Sequence, residues 1–547
     1  MAKGLKSLKV LSLTFLVLIA CKKKEQVEVG DEPTPEEPIE DNSSLVYLST
    51  QGKLIYNRYA NEGETNKDNR VPDFSGAGYS GGGVALPEVS VKKTISPIAG
   101  DNRINIQNAI NEVAELPPDV NGYRGAVLLK AGVYDVEGAL QITKSGIVIR
   151  GEGQGSTGSI IRATKRAQHS LIEIKGTGSG TGEITGTRKK ITTGYVPTGS
   201  NTFDIENAEG IIAGDEIAVY RVPNKQWVDD IQMSQYGWTA DGYDIAYERK
   251  VLSVSANTIT LDAPVVDPLQ TKYGGGYIFK TNISGRVNNC GVENLRLTSV
   301  YVNDDDEKHG WVAVELIRAE NCWVKQVTAL YFGYACVSIS DQSIYNTVEE
   351  CAMLDPKSET TGGRKYSFNL EAGASFNLFQ RCFTRGGRHD FVTGSRVPGP
   401  NVFLDSYATD TYADIGPHHR WATGLLFDNI YGGEIRTQNR KDMGSGHGWA
   451  GAQSMFWNCK SYKNDIKVES PKGARNWGIG CTGLARNGNG YWESWGVNVN
   501  PRSLYLAQLK ERMGEVAVNK VTTEAQRKGN IFNLLKNWAG EGKLPSQ

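Results

Sequence analysis

Short alternations of apolar and polar residues, each closing on a small or apolar position, return through the second half of the chain at a nearly constant step. They read VENL ending at Leu295, VKQV at Val327, VEEC at Cys351, FQRC at Cys382, FLDS at Ser406, LFDN at Asn429, FWNC at Cys459 and GIGC at Cys481. The steps are 32, 24, 31, 24, 23, 30 and 22 residues. A floor near 22 residues with excursions of 7 to 10 suits a coil of three short strands and three turns, the surplus bulging from one face. One such unit cannot bury its apolar side alone, so neighbours must stack. The pattern predicts an all-β chain whose main body, residues 281–500, is a right-handed parallel β-helix carrying a groove.

The flanking segments read differently. NRINIQNAINEV has helical periodicity, with Ile104, Ile106, Ala109, Ile110 and Val113 mostly on one face. GAVLLKAGVYDV and ALQITKSGIVIRGEGQGSTGSIIRA follow as short strands with Gly turns. Residues 45–180 are therefore an N-terminal cap and first rungs, with the Gly-rich part before residue 100 packing over the end of the coil. Residues 181–280 break the rung spacing and predict an inserted β subdomain. Its aromatic loop (Trp227, Tyr236, Trp238, Tyr243, Tyr247) offers ring faces to a sugar or to a core. Residues 501–547 regain helical periodicity and predict a C-terminal helical cap over the last rung or its flank.

The helix, then GAVLLKAGVY, then SGIVIRGEG resembles the N-terminal cap and first rungs of the pectate-lyase-like superfamily of β-helix proteins. The resemblance covers about residues 95–180 and, through the rungs, 281–500. It implies the fold, and with it a polysaccharide lyase or a glycoside hydrolase. The superfamily also includes epimerases and surface adhesins, so substrate does not follow from fold.

At 547 residues the chain exceeds one ordinary core, a limit a solenoid escapes by growing along one axis. A net charge of −1 points away from nucleic acid. The start gives an address. MAKGLKSLK is a basic leader, VLSLTFLVLIA is too short to span a bilayer, and Leu18-Ile19-Ala20-Cys21 resembles a bacterial lipobox. That implies a signal peptide over 1–21 and lipidation at Cys21. The expectation is an outer-membrane lipoprotein facing the periplasm or the cell surface, monomeric, touching the membrane through the anchor only. Residues 22–44 are Pro- and acid-rich and read as a tether. The other seven Cys read as an interior stack, because Cys351 and Cys382 hold the same place in adjacent rungs.

Chemistry concentrates late. Of six His, His389, His418, His419 and His447 fall in one window with Arg388, Arg420, Arg436, Arg440 and Lys441. Alternation puts Asn369, Glu371, His418, Arg436 and Gln438 on one outer face, with Asp390, Asp414 and Glu434 as an acidic ladder beside it. This mixture suits β-elimination on an acidic, uronate-containing polysaccharide. The C5 proton is lost only when the neighbouring carboxylate is neutralised, and a base must then receive it. His418, His419, His389, Arg420 and His447 are the candidates for base and acid. Arg388, Arg436, Gln438, Arg440 and Lys441 are the candidates for substrate binding. Asn369, Glu371, Asp390 and Asp414 are candidate Ca2+ ligands, whereas Asp304 to Asp306 with Glu307 lacks metal spacing and reads as a solvated turn.

Two alternatives stand beside the lyase. GSGHG at His447 resembles the G-H-G of polygalacturonase-type hydrolases, but the accompanying aspartate elements and R-I-K string are missing; the nearest string is DIK at 465–467. A non-catalytic glycan-binding surface protein would show aromatics and hydroxyls in its groove without clustered His, Arg and acids.

Overall fold

The computed structural model describes residues 41–545; the leader, Cys21 and most of the acidic tether lie outside them. The coil is the expected right-handed parallel β-helix, with three faces of parallel strands. The first face runs from Val91–Ile95 through Thr347–Glu349 and Leu378–Gln380 to Tyr491–Glu493. The second runs from Gly132–Val136 through Ala352–Leu354 and Phe383–Arg385 to Lys460–Ser461. The third includes Leu140–Ile142, His169–Lys175, Gly310–Ile317, Ala335–Ser340, Phe368–Leu370, Phe391–Thr393, Gly416–Pro417, Ile435–Thr437 and Ile466–Val468. Inward residues of all three, such as Val337, Phe368, Phe379, Phe427 and Met353, make one continuous core.

The recurring sequence step is the corner between the first and second faces. Its penultimate residue takes a left-handed conformation in rung after rung: φ is 53° at Asn294, 54° at Gln326, 55° at Glu350, 52° at Arg381, 47° at Asp405 and 52° at Asn458. Asn429 belongs to this column, with φ 55°, and Ile430 pairs with Ser406. The segment read as LFDN is therefore one residue out of register, and the inward position is Ile430. Asp428, which pairs with Leu404 inside the strand, looks like the corner residue Asp405, and this hides the slip.

A second corner, between the third and first faces, holds a ladder of buried asparagines. Asn346 Nδ2 donates to Asn377 Oδ1 at 2.9 Å, and Asn377 Nδ2 donates to Asn401 Oδ1 at 3.2 Å. Each Oδ1 also accepts the backbone N–H of the rung before, from Cys322, Asn346 and Asn377. The ladder satisfies corner amides that no strand can pair.

Two faces are covered because their outward positions are apolar. Leu378, Val402, Leu404, Met455 and Trp477 on the first face pack under Leu45, Val46, Tyr59, Phe74 and the helix Leu504–Met513. Thus the N-terminal segment lies along the flank of the coil, not over its end. Even residues 41–44, read as tether, take part: Asp41–Asn42 pairs in parallel with Val499–Asn500, and Ser43 bonds Glu493. On the second face Leu354, Phe383 and Tyr407 lie under the helix Ile531–Trp538. The helix Arg103–Ala114 buries Ile106, Ala109, Ile110 and Val113 against the first rungs, while Ile104 stays exposed.

The insertion is an antiparallel sheet that includes Glu216–Arg221, Ile245–Ser255, Thr258–Leu261 and Gly276–Lys280. Its aromatics are core. Trp227, Trp238, Tyr243 and Tyr247 are buried with Trp421 and Ala452 of the coil, so they dock the subdomain and do not present faces to a sugar. The seven described Cys are free and buried.

Candidate active site

The third face differs from the others in that its outward positions are polar. Strand register makes one column of Gln141, Glu173, Glu315, Ser338, Asn369, Val392 and Gly416, continued by Arg436, Lys467 and Asn487. A second column lies at the strand ends, where Glu371, Gly394, His418, Gln438 and Glu469 follow one another. Gly394 leaves a gap in it. A Cβ there would stand 2.0 Å from Glu371 Oε2, so the carboxylate lies over Gly394, on the side of the His418 rung. Glu371 Oε1 accepts from Asn369 Nδ2 at 2.7 Å and from the Tyr334 hydroxyl at 3.0 Å.

A third line precedes the strands. The rings of Tyr334 and Tyr366 are 5.3 Å apart, and those of Tyr366 and His389 5.1 Å. Four imidazoles then gather across the rungs. Ring centroids are 4.2 Å apart for His389 and His418, 4.7 Å for His418 and His419, and 4.3 Å for His419 and His447. His389 and His418 are buried, whereas His419 and His447 are half-buried.

His447 arrives on the GSGHG turn, whose shape depends on its glycines. A Cβ at Gly446 would stand 2.3 Å from the Tyr236 carbonyl oxygen, and one at Gly448 would meet Met233 and Trp238. The turn is thus pressed against the insertion. Trp238 Nε1 donates to the Gly446 carbonyl at 2.9 Å, and Arg420 donates to the hydroxyl of Ser445 at 2.7 Å.

Burial holds all four imidazoles unprotonated at neutral pH. It lowers His389 to about 4, with Arg440 and Arg388 adding to the effect and Asp414 opposing it. Burial followed by the positive charge of neighbours lowers His419 to about 3 and His447 to about 4, and pushes His418 lower still. Among the described residues neither Arg388 nor Arg420 has a carboxylate partner within ion-pair distance. Arg440 is buried and paired with Asp414, whose carboxyl is held below its usual range by that contact against the opposing effect of burial.

The structure therefore assembles His389, His418, His419 and His447 with Arg388, Arg420 and Arg440. Gln438 is the next member of the His418 column and accepts from Lys467 at 3.3 Å. Arg436 is engaged elsewhere, at 3.2 Å from Glu434 and 3.1 Å from Asp465. Lys441 is exposed.

The four expected Ca2+ ligands are not one set. Asn369 and Glu371 bond each other, and Asp414 is taken by Arg440. Asp390 is wholly buried, accepts from Ser367 at 2.8 Å and is pushed up to about 6 by burial, so it is no rung of an acidic ladder on the surface. The Asp304–Glu307 turn is held by cations, with Asp304 on Lys357, Asp306 on Arg166 and Glu307 on Arg364. Tyr334 and Tyr366 escaped the sequence reading. Their signal was present, since they stand 32 residues apart, one long rung step, just ahead of equivalent strands.

No protein-family model and no curated protein matches the chain. Among solved structures it is similar to ORF18 of Geobacillus virus E2, at 11% identity and a TM-score of 0.37. That match covers 74% of this chain and 59% of the viral one. It is similar to a polygalacturonase from Erwinia carotovora ssp. carotovora at 12% identity and a TM-score of 0.35, covering 76% and 98% of the two chains. The pectate lyase Pel9A gives 10% identity and a TM-score of 0.35, with 77% and 80% covered.

Proposed function

We propose that this protein cleaves an acidic polysaccharide by β-elimination at the cluster on the third face. The observation that carries the reading is the meeting of unprotonated imidazoles with guanidiniums that lack carboxylate partners, on a polar face that crosses successive rungs. Elimination from a uronate needs both in one place. A positive group must draw charge from the C5 carboxylate so that the C5 proton becomes acidic, and an unprotonated acceptor must stand ready to take it. Arg388 and Arg420 fit the first part, and His419 and His447, the half-buried rings, fit the second once a bound carboxylate offsets the guanidinium charge that helps to lower their affinity for a proton. Tyr334 and Glu371, bonded to each other, lie on earlier rungs of the same face and would contact a neighbouring sugar of the bound chain.

Hydrolysis is less well supplied. It needs two carboxyl groups facing each other across the sugar. Beside the imidazoles, Asp414 is tied to Arg440 and Asp390 is inside the coil, which leaves Glu371 without a counterpart.

The location of the site is tested by depolymerisation assays on a panel of acidic polysaccharides. His419→Ala and His447→Ala should each lose roughly 10^2–10^4-fold in kcat/KM with an unchanged melting temperature, the span usual for loss of a general base. Full activity in both variants would move the chemistry elsewhere.

A further inference from the structure

His418, His419 and His447 do more than cluster. Among the described residues they are the group of three His, Cys, Asp or Glu side chains whose ligand atoms all lie within 4.8 Å of one another. We propose that these three imidazoles form a binding site for one divalent d-block cation of the Zn2+ or Co2+ kind. Metal–nitrogen bonds of about 2.1 Å would bring the three nitrogens to ~3.4 Å from one another, a closure that rotation of the imidazoles about their side-chain bonds can supply.

Three further observations point the same way. His418 is 4% exposed and its Nδ1 has no hydrogen-bond partner, an unsatisfied nitrogen inside the cluster. Gly444 makes room for the ring of His447: a Cβ there would stand 2.3 Å from Nε2, with φ at +59°. The turn is fixed from outside by Trp238 and Arg420 through the Gly446 carbonyl and Ser445, so the third ligand is positioned by the insertion.

The surrounding charge selects the kind of cation. Arg388 and Arg420 repel any dication, and Asp414 offsets Arg440 only. Hard cations such as Ca2+ and Mg2+ require oxygen ligands and are disfavoured here, whereas borderline metals bond strongly to neutral imidazole. With three protein ligands a coordination position stays open to an anionic group.

Binding stands independently of the sugar chemistry; its consequence rests on the elimination reading. A nitrogen that holds a cation cannot also take a proton, so loading this site should stop elimination by an imidazole acceptor.

The experiment is titration of the chelator-treated full chain with Co2+, followed by visible absorption and calorimetry. One Co2+ per chain with d–d bands of a low-coordinate site is expected. His419→Ala and His447→Ala should weaken binding by at least about 100-fold, whereas His169→Gln, outside the cluster, should not. His447→Cys should keep the cation and add a sulfur-to-cobalt charge-transfer band, which separates lost ligation from lost folding. Absence of d–d bands, or binding indifferent to these variants, would overturn the site. If chelation abolishes elimination and Co2+ restores it, the imidazole-acceptor account fails while the cation site stands.

Discussion

Gly394 and Gly416 occupy successive rungs of the same face, yet a methyl group should have opposite effects at them. At Gly394 it would meet the end of the Glu371 side chain, at 2.0 Å from Oε2, which can swing away. Gly394→Ala should therefore change stability by less than about 1 kcal/mol while lowering kcat/KM, because the carboxylate leaves its place beside Tyr334. At Gly416 the methyl would stand 2.0 Å from the Arg436 carbonyl oxygen on a backbone with φ +133°. Gly416→Ala should cost roughly 3 kcal/mol or more, since neither strand can yield. Urea melts beside kinetics on the two variants separate these outcomes. Asp390 adds a pH effect at the same scale. Burial raises its carboxyl to about 6, above the ordinary aspartate value, so between those two pH values the folded chain holds a proton the unfolded chain has lost. Its contribution is therefore present below the unfolded value and is lost as pH rises through about 6, a difference on the order of 3 kcal/mol. Asp390→Asn should flatten the stability profile over that interval, measured as the urea midpoint against pH; an unchanged slope would contradict the assignment.

At the scale of elements, the coil was legible because each rung repeats one constraint: a buried residue after a left-handed corner. The slip at Asn429 shows the limit of such reading, since a polar corner residue and a polar strand end look alike until pairing is known. Alternation correctly placed Val337, Phe368, Ile415 and Ile435 inward. It cannot say with whom an outward or corner residue bonds, so the pairing of Arg436 with Glu434 and Asp465, of Asp390 with Ser367 and of Asp414 with Arg440 is not legible in it. The aromatic loop stays open between sugar and core in the sequence for a related reason, because the docking of an insertion is a long-range event that local pattern does not encode. The asparagine ladder gives a test at this scale. Asn377→Ala removes an acceptor shared by the Asn346 side chain and backbone N–H and a donor to Ser343 and Asn401. It should destabilise the protein by about 2–4 kcal/mol, as several buried groups lose partners together. Equilibrium denaturation checks this, and a loss under about 1 kcal/mol would mean that water replaces the ladder.

At the scale of the molecule, function follows from which face is left bare. The first and second faces carry apolar outward positions and are sealed by the N-terminal segment and the C-terminal helices. The third keeps polar columns across the rungs, with Glu173 and Glu315 toward one end and Arg436 and Lys467 toward the other. The insertion packs against the turns that follow that face, where Trp238 bonds the His447 turn and His447 lies beside His418 and His419. The four histidines were visible in the sequence as a cluster because they fall within one window; their lowered affinity for a proton was not, since it arises from burial and from Arg388, Arg420 and Arg440 brought beside them by neighbouring rungs. The most direct test of elimination at this face is absorbance near 232 nm while the full chain acts on uronate-containing polysaccharides. A rising signal that disappears in His419→Ala and His447→Ala is the predicted result, because elimination alone leaves a 4,5-unsaturated uronate. New reducing ends without that chromophore would contradict it and make the protein a hydrolase.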